Sequence, residues 1–262
     1  MSWPPQRVRW WRQAVASGAS GAPERGYLPA DGVNDYGVAW DGALGAAAAG
    51  TAGQFCLITK LNSADPGLNS RVGGITDTTG SPSNIDFGAL AAYLFSSAST
   101  QYRLAAQSFS RAGVNDGAFA YTFPTPDAPV VVAHSVANGG SARGFFARAG
   151  VTLATSPYTP ATSRVPEHVA VATTIRSDLL PATAGAAALQ WRSTVILNRE
   201  PTSGEIAAYS ASDARDARLI WPSAIHAYWA AGDAVGTSVP ARVGAVPMTL
   251  VGGWNSTDLV LS

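Results

Sequence analysis

Cysteine is almost missing: the chain of 262 residues holds one, Cys56. No intramolecular disulfide can form, and a thiolate zinc site lacks ligands. Cys56 falls in the apolar run Phe55-Cys56-Leu57-Ile58 and reads as a small buried hydrophobe. Charge is equally scarce. Only 13% of residues are charged, the formal net charge is zero, and Lys60 is the only lysine. A phosphate-binding surface needs clustered excess Lys and Arg, so nucleic acid is excluded as a partner. No run approaches the roughly 20 apolar residues of a membrane span; Ala43 to Ala52 is too short and is broken by glycine. Met1 to Gly26 mixes arginine with tryptophan and has no continuous apolar stretch of the secretory kind. The expectation is a protein kept in the cytosol, or one that leaves by a route needing no signal.

Motifs that carry chemistry are also lacking. His134, His168 and His226 have no H-E-x-x-H spacing, and each sits in or beside a candidate strand, which favours structural histidines. There is no G-x-S-x-G elbow and no phosphate-cradling glycine loop. Asp65, Asp77, Asp86, Asp116 and Asp127 match no calcium loop and read as turn aspartates. The sequence therefore predicts no metal and no cofactor.

What is present is a large apolar fraction, 47%, enough for a sizeable core. From Gly26 onward the pattern is strands and turns. Candidate strands are Tyr27–Trp40, Gln54–Leu61, Ile85–Phe95, Tyr102–Phe109, Ala118–Phe123, Pro129–Val136, Arg143–Arg148, His168–Ile175 and Ala188–Leu197. Ala224–Trp229, Val246–Val251 and Asp258–Leu261 follow, with a connection from Gly232 to Gly244. They are rich in Val, Ile, Tyr, Phe and Thr, and several alternate apolar with polar. Turn chemistry separates them: Asp65-Pro66-Gly67, Thr79-Gly80-Ser81-Pro82, Asn115-Asp116-Gly117, Asn138-Gly139-Gly140 and Thr159-Pro160. One helix is predicted after Pro201, where Thr202-Ser203-Gly204-Glu205 has the spacing of a capping box. Asp31-Gly32 and Asn34-Asp35 can supply side-chain turns beside a strand. The whole reads as an all-β sandwich or barrel.

Residues 1 to 26 differ in kind. Trp3, Trp10 and Trp11 lie among Arg7, Arg9 and Arg12, and a Ser/Gly/Ala linker, Ser17 to Ala22, follows. Trp and Arg are frequent interface anchors, so Trp3, Arg7, Trp10 and Trp11 are candidates for docking onto a partner subunit. A tail folded back over its own sandwich explains the same residues, and a membrane-active basic-aromatic peptide is a weaker third reading. The domain division is 1–26, docking arm and linker, and 27–262, sandwich. Glu24 falls in the linker.

Three segments carry a resemblance. Leu28-Pro29-Ala30-Asp31-Gly32-Val33-Asn34-Asp35-Tyr36 is similar to the F-D-G-x-x-D-Y strand of concanavalin-A-like and laminin-G-like domains. Leu197-Asn198-Arg199-Glu200-Pro201-Thr202-Ser203-Gly204-Glu205-Ile206 resembles their N-R-x-L-S-x-x-E-I segment, with Pro201 in place of leucine. Tyr228-Trp229-Ala230-Ala231-Gly232-Asp233 through Gly253 resembles a third element, Y-W-x-x-D-x-x-G, which in the family often begins the domain. The resemblance is to lectin-type sandwich domains of phage and gene-transfer-agent virion proteins. It implies a concanavalin-A-like antiparallel β-sandwich, or jelly roll, with one short helix and an N-terminal arm. It also implies a virion structural protein: a head spike, decoration or fibre component assembled in the bacterial cytoplasm. Its partners would be other virion proteins, met through the arm, in a homo-oligomer or multicopy assembly, with host cell-surface polysaccharide as a further ligand.

The fold class also contains glycosidases, whose retaining members need two carboxyls about 5 Å apart. Glu200 and Glu205 have the outer spacing of the E-x-D-x-x-E strand, but Thr202 takes the central acidic position and Pro201 breaks the strand. Both glutamates read as structural, and the expectation is that the chain is not an enzyme. Sugar recognition needs an aromatic platform with a few Asp or Asn groups on loops. Asn115, Asp116, Asn138 and Tyr158 are the candidates. The rival functions are a cement or oligomerisation module without ligand, and a polysaccharide-degrading enzyme.

Overall fold

The computed structural model describes residues 23–40, 54–65, 70–76, 90–96, 102–109, 115–123, 129–137, 142–158, 168–172, 188–212 and 215–262. They form two eight-stranded sheets in which neighbouring strands are antiparallel. In chain order the strands of the first sheet are β1 (Leu28–Asp31), β3 (Gln54–Asp65), β8 (Val130–Ala137), β9 (Ala142–Arg148), β10 (Val151–Tyr158), β12 (Ala188–Leu197), β13 (Ile225–Ala230) and β15 (Ala241–Val243). The second sheet holds β2 (Tyr36–Trp40), β4 (Ser70–Thr76), β5 (Leu90–Ser96), β6 (Tyr102–Phe109), β7 (Asn115–Phe123), β11 (His168–Val171), β14 (Ser238–Val239) and β16 (Met248–Val251). Across the first sheet the order is β10-β9-β8-β3-β12-β13-β15, with β1 also on β12; across the second it is β14-β16-β2-β11-β4-β5-β6-β7.

One apolar cluster joins the sheets face to face. It takes Phe55, Leu57, Leu61, Trp191 and Ile196 from the first sheet and Val72, Val169, Val171, Met248 and Leu250 from the second. Side chains alternate along a strand, so Cys56 and Ile58 point the other way, into a second cluster with Val195, Leu197, Ile206, Tyr209 and Trp221. The first sheet is thus buried on both faces, which is why Phe55 to Ile58 is apolar without alternation. Cys56 is buried as expected, and burial pushes its thiol well above the usual range.

A bulge in β12 sets which side chains reach which face. Trp191 pairs with Leu61 and Ser193 with Lys60, leaving Arg192 as the extra residue. The bulge reverses the alternation: Trp191 faces the sandwich interior, whereas Ser193, Val195 and Leu197 face outward.

The outer cluster is covered by α1 (Ser203–Ser210) and the stretch after it. The capping box forms as the sequence predicts: Glu205 N–H donates to Thr202 Oγ1 at 3.2 Å, and Thr202 N–H donates to Glu205 Oε2 at 2.8 Å. Ile206 and Tyr209 are the buried anchors of the helix. Arg199 donates to both Glu205 oxygens, at 2.9 and 2.5 Å. Glu200 pairs with Arg143 at 3.1 Å.

Several sequence expectations are corrected by the backbone. Tyr27–Trp40 is two strands, because Asp31 Oδ1 accepts from the N–H groups of Val33, Asn34 and Asp35 and turns the chain between sheets. Asn115-Asp116-Gly117, read as a turn, opens β7. The Gly232–Gly244 connection contains β14 and β15. Asp258–Leu261 is no strand; a 3-10 turn, Ser256–Asp258, leads to a single bridge between Val260 and Tyr27. Glu24 does not lie in a solvated linker: it is 1% exposed, inside the outer layer of the first sheet.

Candidate functional site

Strand register places one exposed tryptophan at a defined end of the sandwich. β1 brings Asp31 opposite Ala188, which is itself opposite Asp65, and the Asp31 turn hands the chain to β2 in the other sheet. β2 therefore starts at the Asp31 end and runs about 13 Å, at roughly 3.3 Å per residue, to Trp40 at the opposite end. In the first sheet that opposite end is marked by Gln54 paired with Ala137, and by Ala142 paired with Val136 and Tyr158. In the second it is marked by His168 between Trp40 and Thr76, and further out by Phe109 paired with Asn115.

Trp40 is 59% exposed. Its ring is tilted on that of His168, centroids 5.1 Å apart, and His168 is buried. Trp40 is thus mostly open to solvent while its ring rests on a buried one. The backbones of Asn115, Asp116 and Tyr158 reach the same end on β7 and β10, edge strands of opposite sheets that approach one another. Asn138 lies outside the described residues, as do Trp3, Arg7, Trp10 and Trp11. Trp40 was not singled out from sequence. The available signal was its place as the last residue of an apolar strand, just before an alanine- and glycine-rich run.

The Asp31 end carries an open cleft of about 390 Å³ lined by Pro29, Ala30, Asp31, Asp35, Gly253 and Asp258. Each carboxylate already accepts backbone N–H groups. Asp31 serves the turn described above, Asp35 Oδ2 takes Asp31 N–H at 3.2 Å, and Asp258 Oδ2 takes Asn255 N–H at 2.9 Å. The Val33 N–H, first among several, holds the Asp31 carboxyl below its usual range. Burial, followed by repulsion from Asp31 and Asp258, lifts that of Asp35. These are turn caps, as Asp31 and Asp35 read from sequence. Among the described residues no group of three or more His, Cys, Asp or Glu side chains is placed to share a metal ion.

A third polar group lies under α1. Tyr209 and Tyr228 hydroxyls both donate to Glu24 Oε1 at 2.6 Å, and Lys60 Nζ donates to Oε2 at 3.0 Å. Tyr209 has one hydroxyl hydrogen and gives it to Glu24, so the 2.7 Å contact with Ser193 has the serine as donor. Burial first, then the Glu24 charge, pushes both tyrosines well above their usual range, so they stay neutral donors. Beside them Arg242 bridges Asp233 and Asp216, and Arg218 also pairs with Asp216. Burial opposes the Asp216 charge, but the hydrogen bonds from Arg218 and the Arg242 charge outweigh it and lower its pKa.

No protein-family model matches the chain, and no curated protein does. Solved structures resemble it in shape. A heptameric SAP-like pentraxin from Limulus polyphemus is 7% identical, covering 73% of this chain and 82% of that one, with a TM-score of 0.48. The enzymatically active domain of tailspike protein 2 from bacteriophage CBA120 is 9% identical over 66% of this chain, TM-score 0.45; the match spans 25% of that chain's length. The NanB sialidase from Streptococcus pneumoniae is 8% identical over 59% of this chain and 23% of that one, TM-score 0.39. The expectation that the chain is not an enzyme is corrected here. Chains of similar shape include an enzymatically active tailspike domain and a sialidase.

Proposed function

We propose that the chain is a carbohydrate-binding β-sandwich carried in many copies on a phage or phage-like particle, such as a gene transfer agent, as a head spike, decoration or fibre subunit. The observation that carries the sugar reading is Trp40: a tryptophan 59% exposed, braced by a buried histidine ring, at a strand end. A sugar ring offers an apolar C–H face that stacks on an indole, while its hydroxyls need polar partners nearby. The backbones of Asn115, Asp116 and Tyr158 reach the same end, but β7 lies five strands from β2, roughly 24 Å at about 4.8 Å per strand, so those residues would meet distant units of a long saccharide and not the ring stacked on Trp40. The particle reading rests on the resemblance of the Leu28–Tyr36 and Leu197–Ile206 segments, and on the arginine and tryptophan content of residues 1 to 22. Single contacts of this kind are weak, and many copies on one particle would multiply them through effective concentration.

A glycan array with purified protein tests the proposal. The wild type is expected to retain a defined group of surface polysaccharides. W40A should bind them at least about tenfold more weakly, a loss of about 1.4 kcal/mol. Its melting temperature should be unchanged, because Trp40 is mostly solvated. Release of shortened saccharide by the wild type would add turnover to binding. An array without any bound glycan, or W40A at wild-type affinity, would refute the reading.

A further inference from the structure

The four residues before Tyr27 form no strand, yet side-chain and backbone contacts tie them into the sandwich. Glu24 sends its carboxylate into the outer layer of the first sheet, where it takes three hydrogen bonds from Lys60, Tyr209 and Tyr228. The chain's one lysine is fully used there. Its remaining two N–H groups have the carbonyls of Ser212 and Arg215 at 3.2 Å, and its ammonium stands 3.9 Å from the Tyr209 ring centroid. Glu24 and Lys60 are 1% and 2% exposed. A charge pair this deep is costly to bury and is tolerated only when its other hydrogen-bonding capacity is met, as it is here.

The backbone around Glu24 is gripped as well. Arg242 Nη2 donates to the Pro23 carbonyl at 3.3 Å. Gly232 lies so close that a Cβ on it would come within 2.0 Å of the Arg25 carbonyl oxygen. Tyr27 and Val260 exchange two backbone hydrogen bonds, at 2.9 and 3.0 Å. Contacts come from β3, α1, β13, β15 and the C-terminal residues, so 23–27 is locked by parts of the chain from 36 residues away (Lys60 on Glu24) to 233 residues away (Val260 on Tyr27, 260 − 27).

We infer that residues 23–27 are a clasp, locked by the buried Glu24 carboxylate, which makes the junction between segment 1–22 and the sandwich rigid. No free hinge then lies at 23–26, where the chain is fixed to the sheets through Glu24, Tyr209 and Tyr228. The inference concerns the junction alone and holds whatever partner or sugar the protein takes.

Trypsin cleavage after Arg25 reads the clasp directly, since proteolysis needs a locally opened backbone. E24A would leave the Lys60 charge buried and unpaired, with a risk of global unfolding. The informative variant is therefore the double substitution E24M/K60M, which removes both charges. It is expected to keep the wild-type circular dichroism spectrum and to be cut after Arg25 at least about tenfold faster than wild type. A folded double variant cut at the wild-type rate overturns the clasp. Hydrogen exchange of the wild type gives an independent reading. The Tyr27 amide, bonded to the Val260 carbonyl, should be protected to within tenfold of the β12 amides, and exchange at the rate of an unstructured peptide overturns the proposal whether or not the variant folds.

Discussion

Glu205 shows how much one side chain can hold. It closes the capping box on Thr202 and receives a bidentate bond from Arg199. Hydrogen bonding from Arg199, above all, lowers its pKa from 4.5 to about 2. The folded value lies below the unfolded one, so the stabilisation is complete above about pH 4.5 and is lost as pH falls towards 2. E205A should cost about 0.5–2 kcal/mol at pH 7 through the lost cap. E205Q keeps a cap acceptor and loses the ion pair, which at a solvent-screened site is worth about 0.5–1 kcal/mol. Urea unfolding should show the gap between wild type and E205Q closing between pH 4.5 and 2; a gap independent of pH would contradict the assignment. Two glycines provide a contrast of the same scale. At Gly252 φ is +88° and a Cβ would stand 2.0 Å from the Asn34 carbonyl oxygen, whereas at Gly236 φ is +58° with nothing within 4 Å. Gly236→Ala should cost about 1–2 kcal/mol, the strain of the left-handed region alone. Gly252→Ala should cost clearly more, because the turns at Asn34 and Gly252 must also part. Equal unfolding midpoints for the two variants would deny that close approach.

At the scale of elements, α1 contributes mainly by covering the outward face of the first sheet. Ile206→Ala removes a fully buried side chain from the cluster around Val195 and Trp221 and should cost about 2–5 kcal/mol in chemical denaturation; less than 1 kcal/mol would mean that the helix is peripheral. Local chemistry made several elements readable in advance. Tyr102–Phe109 and Ala188–Leu197 have the same bounds in the sequence reading and in the structure, and the capping box was visible as spacing. β4 was missed because Gly73 and Gly74 carry no side chain to reveal alternation. β10 was missed because Pro157 and the turn-like Ser-Pro-Tyr-Thr run conceal a strand that follows β9 through a tight turn at Ala149 and Gly150. The β12 bulge and the Glu24 lock could not be read at all. Both depend on pairings between residues far apart in sequence, which local patterning does not record. The same limit applies to the site: Asn115, Asp116 and Tyr158 were named one by one, while their arrival at the Trp40 end follows only from strand register.

For the whole molecule, the two sheets meet through one shared apolar core. The first sheet has a core on each face and carries the clasp; the second supplies β2 and the open Trp40 ring. Removing residues 1–22 while keeping the clasp should leave the melting temperature unchanged and abolish incorporation into the parent particle, counted as copies per particle by quantitative mass spectrometry. Unchanged copy number would argue against a docking arm. A deletion extended through Glu24 should instead destabilise the fold, because Lys60 is left buried without its carboxylate. The most direct test of the sugar-binding account is the indole N–H spectrum during titration with a saccharide selected on the array, with the Trp40 resonance assigned through W40F. The account predicts that the Trp40 signal shifts in a saturable manner while those of the buried Trp191, Trp229 and Trp254 stay in place; a bound saccharide that leaves the Trp40 signal unmoved would contradict it.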